Sequence, residues 1–465
     1  MSDTGKSTSG PPGAPPADAP TKTYDASCHC GAFKYSVTAS PPLDDPNAAL
    51  VECNCSICVS NGYLLIYVPN ERIVFSNGSI EQFKKPTFTE QALPQLIQTM
   101  SPSLSTPNTS PTPTSPGRWI ITEFGKPSVL RWEAFDPMAA LSAGGVLIRI
   151  LVAGIAGVDN IQRVGGYPHP LAKEPGFTPG YDLVGEIIAL GDAVPKGREL
   201  NIGDRVAALS IFGAHASHIV LPHEEVMKLQ HEDDLLKTCA LPLNYMTSWG
   251  LLKHSGVDLP PGSAILIGSV SGGLGTAMAQ LIKAFDMGIK MFGTCSPSKF
   301  DYVRSLGVEP LDRNSPNLVE QIHALTDGKG VDVAYDGVGS EKSVQDFLAA
   351  TKQDVGKVVV FGVMGGIAAD GSKMLANVDD LLEAILQPPR VSFWALDIEY
   401  PKKKEVAEFF TVVKKVREGK LNPVIAKLMR LSEAIEAHEL LIHGSAIKGK
   451  MLFVVDEELA KTHGI

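Results

Sequence analysis

The sequence predicts an α/β protein in which a doubly wound parallel sheet is joined to a strand-rich domain and preceded by a small β-rich region. From about residue 262, short apolar strands alternate with amphipathic helices, a pattern typical of parallel sheets covered on both faces. Before that point, from residue 118, runs such as VLIRILVAGIA and DLVGEIIAL read as strands. The stretch SPSLSTPNTSPTPTSPG separates this long region from the front of the chain.

Length, charge and hydropathy exclude several classes of function. A chain of 465 residues is too long for one ordinary core and suggests several domains. Its net charge of −10 argues against nucleic acid or an anionic membrane as a partner. No apolar run reaches membrane-spanning length, since VLIRILVAGIAGV is broken by Arg149. Residues 1–23 lack the apolar core of a secretory signal, so we expect a disordered arm and a cytoplasmic protein.

The front region, residues 24–85, combines predicted strands with clustered cysteines. FKYSV, YLLIYV and RIVF have the aromatic and β-branched content of strands. In a reducing compartment, close-spaced thiols favour metal binding over disulfides, and CxCxxC lets three sulfurs meet one zinc ion. Residues 86–117 should then form an extended, mobile linker. The predicted zinc ligands are Cys28, Cys30, Cys53, Cys55 and Cys58.

A glycine-rich turn predicts a dinucleotide site. The strand AILIG runs into SVSGGLGTAMAQ, so that Gly272, Gly273, Leu274 and Gly275 fall between a strand and a helix. At such a turn, side chains would keep the backbone away from a pyrophosphate and the helix away from the strand. Val270 replaces the first glycine of the dinucleotide fingerprint, which leaves the turn possible.

The end of the second strand indicates NADPH as the cofactor. An NAD site places an acid about twenty residues past the glycines to bind the ribose hydroxyls. Here GTCSPSKFDY offers Ser296, Ser298 and Lys299, with no acid before Asp301. Hydroxyls and an ammonium suit a 2′-phosphate, and Arg313 supplies a second cation. The alternative is that Lys299 is a solvated residue at the start of the next helix.

Several phrases after the linker carry a family resemblance. They are VLIRILVAGIAGVDNIQRVGGYP, FTPGYDLVGEI, NIGDRVAAL, ALPLNYMTSWGLL, GVDVAYDGVG and KGKMLFVV. With the glycine turn, they make residues 118–465 resemble the zinc-independent quinone oxidoreductase and enoyl reductase branch of the medium-chain dehydrogenase/reductase superfamily. The resemblance implies a GroES-like, partly open β-barrel over 118–240 and 390–465, a Rossmann domain over 241–389, and a substrate cleft between them.

The resemblance also bears on the reaction. Zinc-dependent members carry a cysteine in the AGIAGVD region and a histidine where this chain has Tyr181, and neither ligand is present. Cys239 and Cys295 are the only thiols after the linker, so the four-cysteine structural loop is missing too. Without a Lewis acid, alcohol oxidation loses its alkoxide stabilisation. We therefore expect reduction of a conjugated carbonyl or quinone by NADPH.

Site roles follow from the same resemblance. Tyr167 matches the tyrosine that enoyl-thioester reductases use near the substrate enolate, and either donates a proton or lines the pocket. Asn160 and Asp159 lie in the same loop and either position substrate or stabilise that loop. Tyr245 and Thr247 lie where family members contact nicotinamide and substrate, although Tyr245 suits a core aromatic equally well.

The front cysteines carry a second resemblance. CHCG and CNCSIC are similar to the glutathione-dependent formaldehyde-activating enzymes and centromere-protein-V-type domains. The resemblance implies that Cys53, Cys55 and Cys58 hold a catalytic zinc, and that Cys28 and Cys30 are half of a structural site. The second cysteine pair is missing from IEQFKKPTFTEQALPQL, so the domain is truncated. Either it is degenerate, or its five thiols share one zinc in an altered arrangement, or the front region is a spurious fusion from an imperfect gene model.

The leading hypothesis is thus an NADPH-dependent, zinc-independent reductase of quinones, enones or enoyl thioesters. One alternative is a trans-acting enoyl reductase of a polyketide pathway. Others are a carbon–sulfur lyase acting on a glutathione–formaldehyde adduct and a cofactor-binding protein without turnover. From the family we also expect a homodimer.

Overall fold

The structure is a computed structural model that describes residues 22–27, 34–39, 51–52, 64–65, 73–77, 116–396, 402–443 and 447–465. The chain divides into two compact units, Met1–Thr109 and Ser110–Ile465. The five predicted zinc ligands fall outside the described residues, as do residues 86–115 of the predicted linker.

The first unit is β-structured in its described part. An antiparallel sheet has the order β1-β2-β5, and β3 pairs with β4. Strands β2, β4 and β5 overlap the predicted strands in FKYSV, YLLIYV and RIVF. The strands are β1 (Lys22–Ser27), β2 (Lys34–Ala39), β3 (Val51–Glu52), β4 (Leu64–Leu65) and β5 (Ile73–Asn77).

The second unit contains both the strand-rich region and the alternating region. Its strands are β6 (Gly117–Ile121), β7 (Leu130–Ala134), β8 (Gly145–Ile155), β9 (Asp182–Leu190), β10 (Arg205–Leu209), β11 (His218–Pro222), β12 (Met227–Lys228), β13 (Ala264–Ile267), β14 (Lys290–Cys295), β15 (Glu309–Asp312), β16 (Val333–Asp336), β17 (Lys357–Val360), β18 (Val391–Phe393), β19 (Ile425–Arg430) and β20 (Lys450–Val454).

Helices connect and cover these strands. A π-helical turn, Leu241–Tyr245, leads directly into the helix Met246–His254. The helices are α1 (Gly157–Arg163), α2 (Leu235–Cys239), α3 (Met246–His254), α4 (Gly273–Ala284), α5 (Phe300–Ser305), α6 (Leu318–Leu325), α7 (Glu341–Ala350), α8 (Val378–Ile385), α9 (Lys402–Arg417), α10 (Ala434–His443) and α11 (Glu457–Thr462). In the described ranges, none of the helices combines the length and the apolar character needed to cross a bilayer.

The strand-rich region forms a barrel-like sheet. Its order is β12-β10-β9-β8-β20-β19, and β11 pairs with β8. Strand β8 is buried along nearly its whole length, because its sequence GVLIRILVAGI is apolar on both faces. Strand β20 lies antiparallel to it, with Met451 opposite Ile155. A strand near the end of the chain therefore completes a domain that begins more than 300 residues earlier.

The alternating region forms the doubly wound parallel sheet that its strand and helix pattern predicts. The strand order is β15-β14-β13-β16-β17-β18, with every pair parallel. The order reverses at β13, since β14 lies on one side of it and β16 on the other. In such sheets, ligands bind beyond the carboxyl ends of the strands at the reversal.

The boundary between the domains differs from the prediction. Strand β18 hydrogen-bonds to β17 with Val391 opposite Val358, so the parallel sheet extends past the predicted limit at residue 389. Helix α9 also lies with this domain, because its Glu408 carboxylate accepts a hydrogen bond from Trp249 Nε1 of α3 at 2.5 Å. The sequence did not reveal either association, because both depend on contacts made by elements far apart in the chain.

Candidate active site

The glycine-rich turn between β13 and α4 lies at the carboxyl end of the parallel sheet. Gly275 is packed so closely that a Cβ atom there would lie 2.5 Å from the Cα and carbonyl oxygen of Val270. At Gly273, a Cβ would lie 2.1 Å from the Asn244 amide nitrogen. Because glycine has no side chain, helix α4 can begin close to the preceding turn at these two positions, and its first backbone amides stay accessible. Accessible amides at a helix N-terminus can bind a phosphate group.

The departure from the glycine fingerprint at Val270 has a structural counterpart. The Val270 side chain is fully buried against Gly293 of β14, where a Cβ would lie 2.3 Å from the Val270 Cβ. A valine fits at the turn because the neighbouring strand has no side chain at this point. The positive backbone φ, 55°, falls instead on Ser269.

Cations lie at the end of β14. Lys299 is buried, lines the cavity together with Ser296 and Arg313, and donates from Nζ to the Ile447 carbonyl oxygen at 2.9 Å. Burial, and after it the charge of Arg313, lower the pKa of Lys299. This arrangement favours an anion that would offset the two positive charges. Ser298 is exposed and does not line the cavity.

One cavity of about 460 Å³ joins the glycine turn to the barrel. Segments that follow β16, β17 and β18 form part of its wall, as expected where parallel strands end at one edge. These segments are Gly337–Val338, Phe361–Met364 and Trp394–Leu396. The sequence motifs gave these segments no role at the site, although each directly follows an apolar strand, and that position was the signal for it.

Two tyrosines from the barrel face the same cavity. Tyr167 follows α1, Tyr181 immediately precedes β9, and their hydroxyl groups hydrogen-bond to each other. The ring centroids lie 6.0 Å apart, and the ring planes are nearly perpendicular, at 85°. Tyr181 was predicted only as the residue that replaces a metal ligand. Across residues 116–396, 402–443 and 447–465, no three His, Cys, Asp or Glu side chains are grouped as metal ligands.

The other residues expected at the site divide into two kinds. Thr247 lines the cavity, and its buried hydroxyl has no hydrogen-bond partner among the described residues. Asn160 is buried outside the cavity and accepts from Arg163 Nη2 at 3.0 Å. Tyr245 also lies outside it and donates to Gln280 Oε1 at 2.8 Å. Thr247 and Tyr167 therefore both line the cavity, whereas Asn160 and Tyr245 are buried in the protein interior outside it.

Ionisable groups are buried behind the barrel wall of the cavity. Asp159 Oδ2 accepts from the Ala156 amide at 2.8 Å and lies 3.7 Å from His215 Nε2. Burial raises the pKa of Asp159 to about 7 and lowers that of His215 to about 4. Near neutral pH the Asp159 carboxyl can therefore gain or lose its proton.

An ion pair lies beside this group. Lys450 lines the cavity, and its Nζ lies 2.9 Å from Asp182 Oδ1 and 3.0 Å from Oδ2. The amide of Leu243 also donates to Asp182 Oδ2, at 3.3 Å. The pair links the barrel to the segment that precedes α3. It therefore helps to fix the positions of these two parts of the cavity wall relative to each other. Sequence reasoning missed it, because 268 residues separate the partners.

Comparisons with known proteins agree with this architecture. Residues 142–231 match the alcohol dehydrogenase GroES-like domain, and residues 273–384 match the zinc-binding dehydrogenase family. Human quinone oxidoreductase is 27% identical over 340 residues, which cover 72% of this chain and 96% of the human protein.

Solved structures show the same likeness. A quinone oxidoreductase from Pseudomonas syringae pv. Tomato DC3000 is 26% identical, covers 73% of this chain and 100% of its own, and superposes with a TM-score of 0.61. The Escherichia coli quinone oxidoreductase complexed with NADPH is 23% identical, with coverages of 73% and 100% and a TM-score of 0.61. At that identity the likeness shows the fold alone. The predicted α/β fold, a GroES-like barrel beside a Rossmann sheet, is confirmed.

Proposed function

Since residues 118–465 belong to the medium-chain dehydrogenase/reductase superfamily, in its quinone oxidoreductase and enoyl reductase branch, we propose that the protein is an NADPH-dependent reductase of conjugated acceptors. The acceptors are quinones, enones or enoyl thioesters. The observation that carries the proposal is the single cavity that connects a cation-lined end, a glycine turn and a pair of phenols. The choice of NADPH rests on Ser296, Lys299 and Arg313 at the cation-lined end of this cavity.

The residues of the cavity fit this cofactor. The glycine turn offers backbone amides at the start of α4 for the pyrophosphate, with Gly273 and Gly275 leaving the approach open. Lys299 and Arg313, with Ser296 beside them, would hold a 2′-phosphate. Thr247 has a hydroxyl group with no partner in the described structure, and it would bind the carboxamide or the acceptor.

At the reacting end, this chain's own side chains bind the acceptor and supply a proton. Bound NADPH supplies a hydride to an electron-poor carbon of a conjugated system. The hydrogen-bonded phenols of Tyr167 and Tyr181 line this end of the cavity and would lie beside the acceptor oxygen, where negative charge develops. Met364 and Val158 contribute apolar lining that would exclude water from this end.

The test is a screen of NADPH oxidation by the full chain against quinones, enones and crotonyl thioesters. We expect turnover with at least one class, and higher turnover with NADPH than with NADH. Turnover only on carrier-bound thioesters would favour the trans-acting enoyl reductase instead. Binding of NADPH with no consumption across the whole panel would contradict the proposal and favour a cofactor-binding protein without turnover.

The zinc proposed for the first unit stays a prediction, as does the homodimer. Metal analysis of the full chain should find about one zinc, because a CxCxxC spacing can present three sulfurs to one ion. Cys55→Ser should remove that zinc while NADPH turnover stays within about twofold, a difference of roughly 0.4 kcal/mol. Zinc retained in Cys55→Ser would show that these cysteines are not its ligands.

A further inference from the structure

Apolar side chains line one end of the cavity. We propose that the acceptor is an uncharged molecule with a hydrocarbon tail, and that this tail binds along one face of α8. The inference rests on the proposed reductase function and names the class of acceptor that the site takes. Six residues form this part of the wall, which we call the apolar arm: Phe361, Met364, Val378, Leu382, Phe393 and Leu396.

The order of the strands separates the apolar arm from the cations. Ser296 and Lys299 follow β14 and Arg313 follows β15, towards one edge of the sheet, whereas the arm is built around β17 and β18 towards the other. Three strand spacings separate β14 from β17, which is about 14 Å. A dinucleotide with its 2′-phosphate at the cations and its pyrophosphate at the glycine turn therefore extends towards the arm, and the acceptor lies beside its nicotinamide end.

The residues of the arm come from neighbouring parts of the fold. Strands β17 and β18 pair with Val360 opposite Phe393, and α8 lies in the connection between them. Within α8, Val378 and Leu382 are one helical turn apart and share a face. The two residues that follow Val378 are exposed aspartates. Helix α8 therefore presents an apolar face to the cavity and a charged face to water.

No side chain of the arm is charged. Of the described residues that line the cavity, the charged ones are Lys299, Arg313 and Lys450. The first two lie towards the other edge of the sheet, and Lys450 is paired with Asp182 at 2.9 Å. A charged tail would lose its hydration in the arm without gaining an opposite charge, which is strongly unfavourable. The lining therefore selects an uncharged tail.

The protein itself does not fully cover the apolar surface of the arm. Leu396 is buried, but the other five side chains are only half-buried. Apolar surface that contacts water favours a ligand that covers it, and a hydrocarbon chain covers it without needing a hydrogen bond. The half-buried side chains are therefore the ones that a tail would bury.

The segment after β18 forms a fixed wall. The Trp394 amide donates to the Val360 carbonyl oxygen at 2.9 Å, and the Trp394 ring packs against Gly250 of α3. A Cβ at Gly250 would lie 2.3 Å from that ring, so a glycine inside the helix makes room for the tryptophan. Trp394 and Leu396 are 3% and 5% exposed. The arm thus has one rigid wall, and α8 supplies another.

The experiment measures how kcat/KM depends on the length of the tail while the reacting group stays the same. The full chain is assayed with NADPH and a series of alkyl vinyl ketones from ethyl to pentyl, together with the pentyl analogue in which a carboxylate replaces the terminal methyl. If the screen finds only quinone reduction, benzoquinones with the same substituents replace the vinyl ketones. Saturated methyl ketones with the same tails are titrated calorimetrically into the NADP⁺-bound protein, a readout that does not depend on turnover.

We expect kcat/KM to rise about threefold for each added methylene, because each methylene removed from water favours binding by a similar factor. The affinity for the saturated ketones should rise in the same proportion. The carboxylate analogue should have a kcat/KM at least about tenfold below that of the pentyl ketone, since its charge has no partner in the arm.

Two variants test the face of α8. Leu382→Asn keeps a side chain of similar size and makes it polar, so the ratio of kcat/KM for the pentyl ketone to that for the ethyl ketone should fall about tenfold. Val378→Trp keeps the face apolar but fills the arm, and it should lower the same ratio. Leu375→Asn is the matched control and should keep the wild-type ratio, because Leu375 is 64% exposed and lies outside the cavity. Thermal unfolding and NADPH titration show whether each variant folds and binds the cofactor.

The outcomes separate this inference from the proposed function. Acceptor reduction with a kcat/KM that is flat across the series, or higher for the carboxylate analogue, would overturn the role of the arm and leave the reductase function intact. A wild-type ratio in both Leu382→Asn and Val378→Trp would also overturn it, since the tail would then bind elsewhere. A protein that binds the saturated ketones according to tail length but reduces no acceptor would instead overturn the proposed function and leave the arm as a ligand site.

Discussion

Lys450 and Asp182 form an ion pair that is buried inside the second unit, with side chains 2% and 0% exposed. It joins β20, near the end of the chain, to the start of β9. A buried pair contributes little net stability compared with apolar residues, but it is costly to break, because one charge is left without its partner. Changing only one of the two residues should therefore lower the free energy of unfolding more than replacing both with apolar residues.

Asp182→Asn should destabilise the second unit by about 3–5 kcal/mol, because it leaves the Lys450 ammonium buried without a counter-charge. Urea unfolding followed by tryptophan fluorescence measures this, since the four tryptophans, Trp119, Trp132, Trp249 and Trp394, all lie in that unit. The double change Asp182→Leu with Lys450→Met should recover most of the loss.

A surface pair is the control for this prediction. Lys342 and Asp346 are 2.6 Å apart, with side chains 84% and 39% exposed. Asp346→Asn should cost at most about 1 kcal/mol, because water already solvates both charges. An Asp182→Asn variant as stable as Asp346→Asn would refute the role given to the buried pair.

Lys299→Met should raise the KM for NADPH tenfold or more and leave that for NADH nearly unchanged. The change keeps the aliphatic stem and removes a charge-assisted contact to the 2′-phosphate worth about 1.5–3 kcal/mol. Steady-state kinetics with both cofactors measures it, and Lys283→Met, an exposed lysine at the far end of α4, is the control. Equal losses with NADPH and NADH would show that Lys299 supports the fold and does not select the cofactor.

Gly275→Ala should weaken NADPH binding at least about tenfold, or roughly 1.4 kcal/mol. The new Cβ would lie 2.5 Å from Val270 backbone atoms in the turn, so the start of α4, with its first amides, must move away from Val270. Gly197→Ala is the matched control, because no atom lies within 4 Å of a Cβ there. Fluorescence titration with NADPH compares them, and unchanged affinity in Gly275→Ala would argue against pyrophosphate binding at this turn.

Asp159 should make stability depend on pH. Its pKa is about 7 in the folded protein, against an ordinary value of 3.8, so the unfolded chain loses this proton at lower pH. Asp159 therefore destabilises the fold increasingly as pH rises from about 4 to about 7. In Asp159→Asn, the difference in Tm from wild type should rise over this interval and level off above it.

The control for this pH series is Asp301→Asn, because Asp301 is fully exposed. Comparison with it separates the effect of burying a carboxyl group from the effect of removing one surface charge. A constant Tm difference from wild type for Asp159→Asn would mean that the buried carboxyl does not titrate between these limits.

Local patterns in the sequence were enough to predict much of the fold. The alternation of strands and helices after residue 262 predicted the parallel sheet, because the hydrophobic period of each element is written in adjacent residues. The glycine turn and the lack of an acid before Asp301 are also local, and the glycine turn lines the cavity. The domain boundary was predicted less accurately. The three residues of β18 carry no clear strand pattern of their own, and they form a strand only because they pair with β17.

The sequence by itself determined the period of the strands and helices, the glycine turn and the residue types at the end of β14, because each depends on neighbours within one element. Only the tertiary structure decided which side chains meet. It paired Tyr167 with Tyr181 and Lys450 with Asp182, and it turned Asn160 and Tyr245 away from the cavity. These outcomes depend on the register of strands that pair across the barrel and on how the two domains pack, and no local period encodes them.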